Sequence, residues 1–179
     1  MKTVIEAFDQ FLAQNDLQFH AIIIGGAALI AMGITNRTTE DVDCLSPKIP
    51  DEIKQASRNF AKEYPDFELI DNWLNNGPIS LVDDLPEGWH ERLVSVYTGQ
   101  SIVLQTLGRI DLLRTKLFAL CDRQEDLPDC IALAPTAEEL SVCLPWVVDR
   151  DGNPLWPGHV RNTFISLAER IGYDYRPSS

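Results

Sequence analysis

Residues 19–46 read FHAIIIGGAALIAMGITNRTTEDVDCLS, and the rest of the chain is organised around this stretch. Residues 21–24 are rich in β-branched side chains and short enough for a buried strand. Gly25 and Gly26 punctuate the run, and 27–32 has helix-forming composition. The expected unit is strand, glycine turn, short helix. Residues 36–40 are polar and turn-like, whereas Asp41, Val42, Asp43, Cys44 and Leu45 alternate carboxylate and apolar side chains, as a strand with one buried face does. Asp41 and Asp43 then project to the same side.

That pattern has a chemical use. Side chains at i and i+2 of a strand project in parallel and jointly hold a hard divalent cation that prefers oxygen. A glycine backbone lets phosphate oxygens approach main-chain N–H groups, and a following helix N-terminus favours negative charge. A strand, glycine pair and helix beside two carboxylates therefore point to a nucleoside triphosphate with its metal.

The composition sets bounds on this reading. A chain of 179 residues, 45% apolar and 23% charged, has the make-up of a folded globular protein with a sizeable core. Fifteen Lys and Arg against 27 Asp and Glu give a net charge of −12, which opposes broad binding to nucleic acid or anionic membranes. The first residues carry Glu6 and Asp9 and no apolar signal segment. The longest apolar run, 21–34, falls short of the roughly 18 residues that a membrane span needs. Cys44, Cys121, Cys130 and Cys143 have no paired or zinc-like spacing, and His20, His90 and His159 are scattered. The expectation is a cytoplasmic protein with reduced, buried thiols.

Around the central stretch, helical periodicity is expected over 3–13, 51–64, 110–123, 125–133 and 159–171, with a capping box at Thr136 and Glu139. Strands are expected at 67–70 and 79–82, and a hairpin over 92–97 and 102–107, with a breaker at 75–78. The fold class is α+β: a mixed sheet flanked by helices in residues 1–107, followed by a helical part in 108–179.

Taken together, Gly25 and Gly26, the Arg37-Thr38-Thr39 segment and Asp41-Val42-Asp43 resemble the signature of the polymerase-β-like nucleotidyltransferase superfamily. The order of motifs is most similar to the AbiEii-like branch, which is linked to toxin–antitoxin and phage-defence systems. Lys116, Leu117, Phe118 and Ala119 look like that branch's lysine motif, and Arg123, Asp126 and Asp129 like its late Arg and Asp positions.

This resemblance implies that Asp41 and Asp43 bind Mg²⁺ or Mn²⁺ and that Gly25, Gly26, Arg37 and Thr38 support the phosphates of a nucleoside triphosphate. It further implies a third carboxylate, for which Asp83 and Asp84 are the candidates, and a phosphate-neutralising role for Lys116. The acceptor hydroxyl is left open among a tRNA end, a protein and a small molecule, and a cognate antitoxin-like partner is implied. Other readings stand beside these. Asp83 and Asp84 also suit a turn before Leu85 and Pro86, Lys116 also suits an ion pair, and Arg123, Asp126 and Asp129 suit an ion-pair and capping network. A non-catalytic interaction or regulatory module on the same fold is the alternative to an enzyme.

Overall fold

The computed structural model describes residues 1–124 and 126–177, and the chain divides into two units, Met1–Gly108 and a second that begins at Arg109. In the first unit α1 (Lys2–Gln14) forms because Val4, Ile5, Phe8, Phe11 and Leu12 share one face, and all five are buried. Then come β1 (Phe19–Ile24), α2 (Gly25–Ala31), β2 (Val42–Ser46), α3 (Asp51–Glu63), β3 (Leu74–Asn75), β4 (Val94–Thr98) and β5 (Ile102–Thr106). The strands make one mixed sheet in the order β3-β2-β1-β5-β4. β2 runs antiparallel to β1 and parallel to β3, while β5 runs parallel to β1 and antiparallel to β4. Parallel neighbours require a crossover, which α3 supplies between β2 and β3.

Two consequences of this order position the site. β2 lies between β1 and β3, so Asp43 has Ile24 as its register partner on one side and Asn75 on the other. Val42 and Cys44 point into the core at 2% and 0% exposure, which leaves Asp43 at the partly open face, while Asp41, read from the sequence as a residue of this strand, lies just before β2 and is also half-buried. The core beneath holds an aromatic cluster in which the Phe8 ring meets Trp73 edge-on at 5.1 Å and Phe60 at 5.2 Å. Burial of each such side chain contributes about 1.5–3 kcal/mol. The buried Asp9 carboxylate ties α1 to the β4–β5 turn by accepting from the N–H groups of Gln100, Ser101 and Ile102 at 3.0, 2.8 and 2.6 Å. Burial works against its charge, but these bonds prevail and hold its pKa below the ordinary carboxylate range.

The sequence pattern fails at two apolar runs. Residues 67–70, expected as a strand, begin on the last residue of a 3-10 turn (Pro65–Phe67) that stops on Glu68 in the left-handed region at φ +50°, a geometry no strand accepts. Residues 79–82, also expected as a strand, belong to a 3-10 segment (Ile79–Asp84) that follows Pro78. Its apolar side chains are not buried, so nothing holds the run in a sheet. The strand that does pair with β2 is the two-residue β3, whose Asn75 begins the stretch read as a breaker. The hairpin forms as expected.

The second unit contains α4 (Arg109–Arg123), α5 (Leu127–Leu133), α6 (Ala137–Val148) and α7 (Trp156–Ile171). The expected start of α5 at Glu125 lies outside the described residues, as do Ser178 and Ser179 of the tail. The capping box is present: Glu139 N–H donates to Thr136 Oγ1 at 3.2 Å, and Thr136 N–H to Glu139 Oε2 at 3.0 Å. α7 begins three residues earlier than its periodicity indicates, with Pro157 in its first turn. All four cysteines are free and buried, and burial pushes the Cys44 thiol up to about 11 and those of Cys121 and Cys143 up to about 12. Among the described residues no helix is long and apolar enough to cross a membrane.

Candidate active site

The chain leaves β1 through Ile24, which is extended, and enters α2 through Gly25 at φ +75°, in the left-handed region where only glycine is unstrained. The space above the glycine pair is not empty. A Cβ on Gly25 would stand 2.5 Å from Asp43 Oδ2; one on Gly26 would stand 2.8 Å from Arg37 Nη2 and 3.0 Å from Thr39 Oγ1. A carboxylate, a guanidinium and a hydroxyl therefore converge on bare backbone, in a cradle that a side chain would fill.

Both carboxylates belong to this constellation. Asp43 rests on Gly25, and Asp41 is joined to Gly26 through Thr39, whose hydroxyl donates to Asp41 Oδ1 at 3.1 Å. On the far side of β2 a Cβ on Gly77 would lie 3.0 Å from Asn75 Oδ1 and 3.9 Å from Asp43 Oδ1, and Gly77 N–H donates to Asn75 Oδ1 at 2.7 Å. Asn76 fastens this edge: its amide donates to the Cys44 and Pro47 carbonyls at 2.9 and 3.0 Å, and its oxygen accepts from Ile49 N–H at 2.7 Å. Asp41 and Asp43 offer the oxygen donors that hard divalent cations prefer, and the guanidinium fork of Arg37 suits a phosphate.

The structure brings together Gly25, Gly26, Arg37, Asp41 and Asp43 and adds Thr39, Asn75 and Gly77. Thr38 is exposed and contributes its carbonyl, which accepts from Arg37 Nη1 at 3.4 Å; its neighbour Thr39 faces the glycine pair. Thr39 was visible in the Arg37-Thr38-Thr39 segment, but an irregular stretch gives no period to say which hydroxyl turns inward. Nothing in the local pattern marks Asn75, because its place follows from pairing with Asp43.

Asp83 and Asp84 are exposed at the end of the 3-10 segment that packs on β2. Among the described residues no group of three or more His, Cys, Asp or Glu side chains is gathered at metal-binding reach. Lys116 belongs to the second unit, where its buried ammonium donates to Asp126 Oδ1 at 2.7 Å and Asp129 Oδ2 at 2.6 Å. Burial disfavours that charge, yet the two carboxylates outweigh it and raise the pKa above the ordinary lysine value. Arg123 reaches Asp126 at 3.3 Å, which completes an ion-pair network, while Asp126 at the start of α5 makes no side-chain capping bond.

Residues 1–134 match the family described as a nucleotidyltransferase of unknown function (DUF6036). No curated protein and no solved structure matches the chain.

Proposed function

Because the chain belongs to the nucleotidyltransferases of unknown function (DUF6036), we propose that it transfers a nucleoside monophosphate from a nucleoside triphosphate to an acceptor hydroxyl, with Asp41 and Asp43 as metal ligands. The observation that carries this reading is the convergence of Asp43, Asp41 through Thr39, and Arg37 on the backbone of Gly25 and Gly26. Mg²⁺ or Mn²⁺ held by the two carboxylates supplies Lewis acidity to the phosphate that reacts. The glycine pair lets the phosphates approach the main chain. Arg37 pairs with their charge, and the Thr39 hydroxyl orients Asp41. The acceptor oxygen forms a bond to the α-phosphorus as the bond to the β-phosphate breaks, pyrophosphate leaves, and the hydroxyl proton passes to a carboxylate or to water.

Asp83 and Asp84, at the end of the 3-10 segment that packs on β2, are the residues proposed for that proton. Lys116, sequestered by Asp126 and Asp129, takes a structural role in this reading. The finer assignment, an AbiEii-like toxin controlled by an antitoxin-like partner, rests on the motif order in the sequence.

One observation favours a second reading. The strand residue opposite Asp43 on β3 is Asn75, an amide and not an acid, as suits a fold kept as a non-catalytic regulatory module. Incubation of lysate with α-labelled nucleoside triphosphates and Mg²⁺ separates the two. Transfer of label to an acceptor by the wild type and not by Asp43→Ala is the expected result. Equal labelling by both proteins overturns the transferase reading.

A further inference from the structure

A cleft of about 480 Å³ opens on the first unit beside β3, between α3 and the connection that leads into it. Among the described residues its lining includes Lys48, Lys54 and Arg58 against a single acid, Asp71, in a chain whose net charge is −12. Concentration of cations at one concave site runs against the charge of the whole molecule. Lys54 Nζ lies 3.4 Å from Asp51 Oδ1, but that carboxylate is fully exposed and the pairing is weak. Among the described residues neither Lys48 nor Arg58 has an ion-pair partner. Both are exposed, so their charges are available to an anion. Leu74 and Ile79 give the cleft an apolar wall, and Asn72 and Asn75 add amide groups.

The position of the cleft gives it a role. Asn75 lines it and is also the register partner of Asp43, and Gly77 lies close to both side chains. The glycine pair lies on the β1 side of Asp43 and the cleft on its β3 side. An in-line displacement needs the leaving and attacking oxygens on opposite sides of the phosphorus, so a donor held over the glycines leaves the β3 side to the acceptor. The cleft's volume is at the lower end of the roughly 300–1,000 Å³ typical of small-molecule sites. No aromatic side chain is among its described lining residues, so it offers no platform for stacking successive bases of a strand.

We propose that this cleft is the acceptor subsite and takes a phosphate-bearing unit about the size of one nucleotide. The proposal rests on the transferase reading above. The same chemistry is presented by a free nucleoside monophosphate and by the terminal nucleotide of an RNA, and the test distinguishes them.

The experiment measures binding of AMP and of adenosine to the full chain by calorimetry at low salt. It is repeated on the triple variant Lys48→Gln, Lys54→Gln, Arg58→Gln and on Lys62→Gln, an exposed change on α3 outside the cleft lining. The expected result is that AMP binds and adenosine does not. The triple variant should weaken AMP by about tenfold or more, with reduced dependence on salt, because the phosphate contacts are lost. Lys62→Gln should match the wild type, and thermal melting of the triple variant should show that it folds. A non-hydrolysable ATP analogue with Mg²⁺ should leave AMP bound.

A short oligoribonucleotide that displaces AMP at lower concentration than free AMP does identifies an RNA end as the source. Failure of the oligonucleotide to displace AMP identifies a free phosphorylated molecule. AMP binding unchanged in the triple variant, adenosine binding as well as AMP, or competitive displacement of AMP by the ATP analogue overturns the proposal. The two readings fail separately. Binding of the ATP analogue without AMP binding removes the cleft assignment alone, whereas AMP binding with no analogue binding removes the transferase reading and the acceptor role with it.

Discussion

Substitution of Gly25 by alanine tests the contact on which the site is built, and Gly33 supplies its control. Both glycines are left-handed, at φ +75° and +71°, but a Cβ on Gly33 meets nothing within 4 Å whereas one on Gly25 meets the Asp43 carboxylate. Gly33→Ala therefore incurs the backbone strain alone, about 1–2 kcal/mol. Gly25→Ala incurs the same strain and must also turn Asp43 from its rotamer, roughly 0.5–1.5 kcal/mol. The difference between the two variants should be about 0.5–1.5 kcal/mol, and it should vanish when Gly25→Ala is made in an Asp43→Ala background. Native-state hydrogen exchange of the β1 and β2 amides reads the local opening free energy without mixing in the second unit. Equal costs for Gly25→Ala and Gly33→Ala, or no coupling between positions 25 and 43, would show that Asp43 does not rest on the glycine pair.

Two further predictions concern the buried charges. The folded-state pKa of Asp9 is depressed, so its contribution is complete above the unfolded value near 3.9 and is lost as pH falls through the folded value. Acid unfolding should accordingly be shallower in Asp9→Asn, which loses on the order of 2 kcal/mol near neutral pH; identical acid profiles contradict the assignment. Lys116→Ala should destabilise α4 and α5 by about 3–5 kcal/mol, because Asp126 and Asp129 are left facing each other in a buried site. Since the Lys116 pKa is raised, the wild-type contribution is complete below the ordinary lysine value near 10.4 and declines as pH rises through the folded value. A loss under about 1 kcal/mol by hydrogen exchange would place the ammonium outside the buried network.

What the sequence made legible is what has a local period. The glycine pair, the alternation of Asp43 with buried Val42 and Cys44, the amphipathic face of α1 and the β4–β5 hairpin all follow from side-chain spacing, and the structure contains each of them, with Asp41 just ahead of β2. Residues decided by a distant neighbour were not legible. Leu74 and Asn75 form a strand only because Val42 and Asp43 lie beside them, while the more apolar residues 79–82 have no such neighbour and coil into a 3-10 segment. Lys116 shares a helix with exposed cations, and its burial is set by Asp126 and Asp129 at the start of α5. Thr39 and Thr38 are chemically equivalent in the sequence, and only the close approach to Gly26 separates them.

The central claim is that Asp41, Asp43 and the glycine pair form one site for a metal-bound nucleotide. Calorimetric titration of the folded chain with a nucleoside triphosphate, with and without millimolar Mg²⁺, tests it most directly. Binding should require the metal and weaken on the order of tenfold or more in both Asp41→Ala and Asp43→Ala. Absence of binding to the wild type at millimolar nucleotide and Mg²⁺, or binding indifferent to both substitutions, would contradict it.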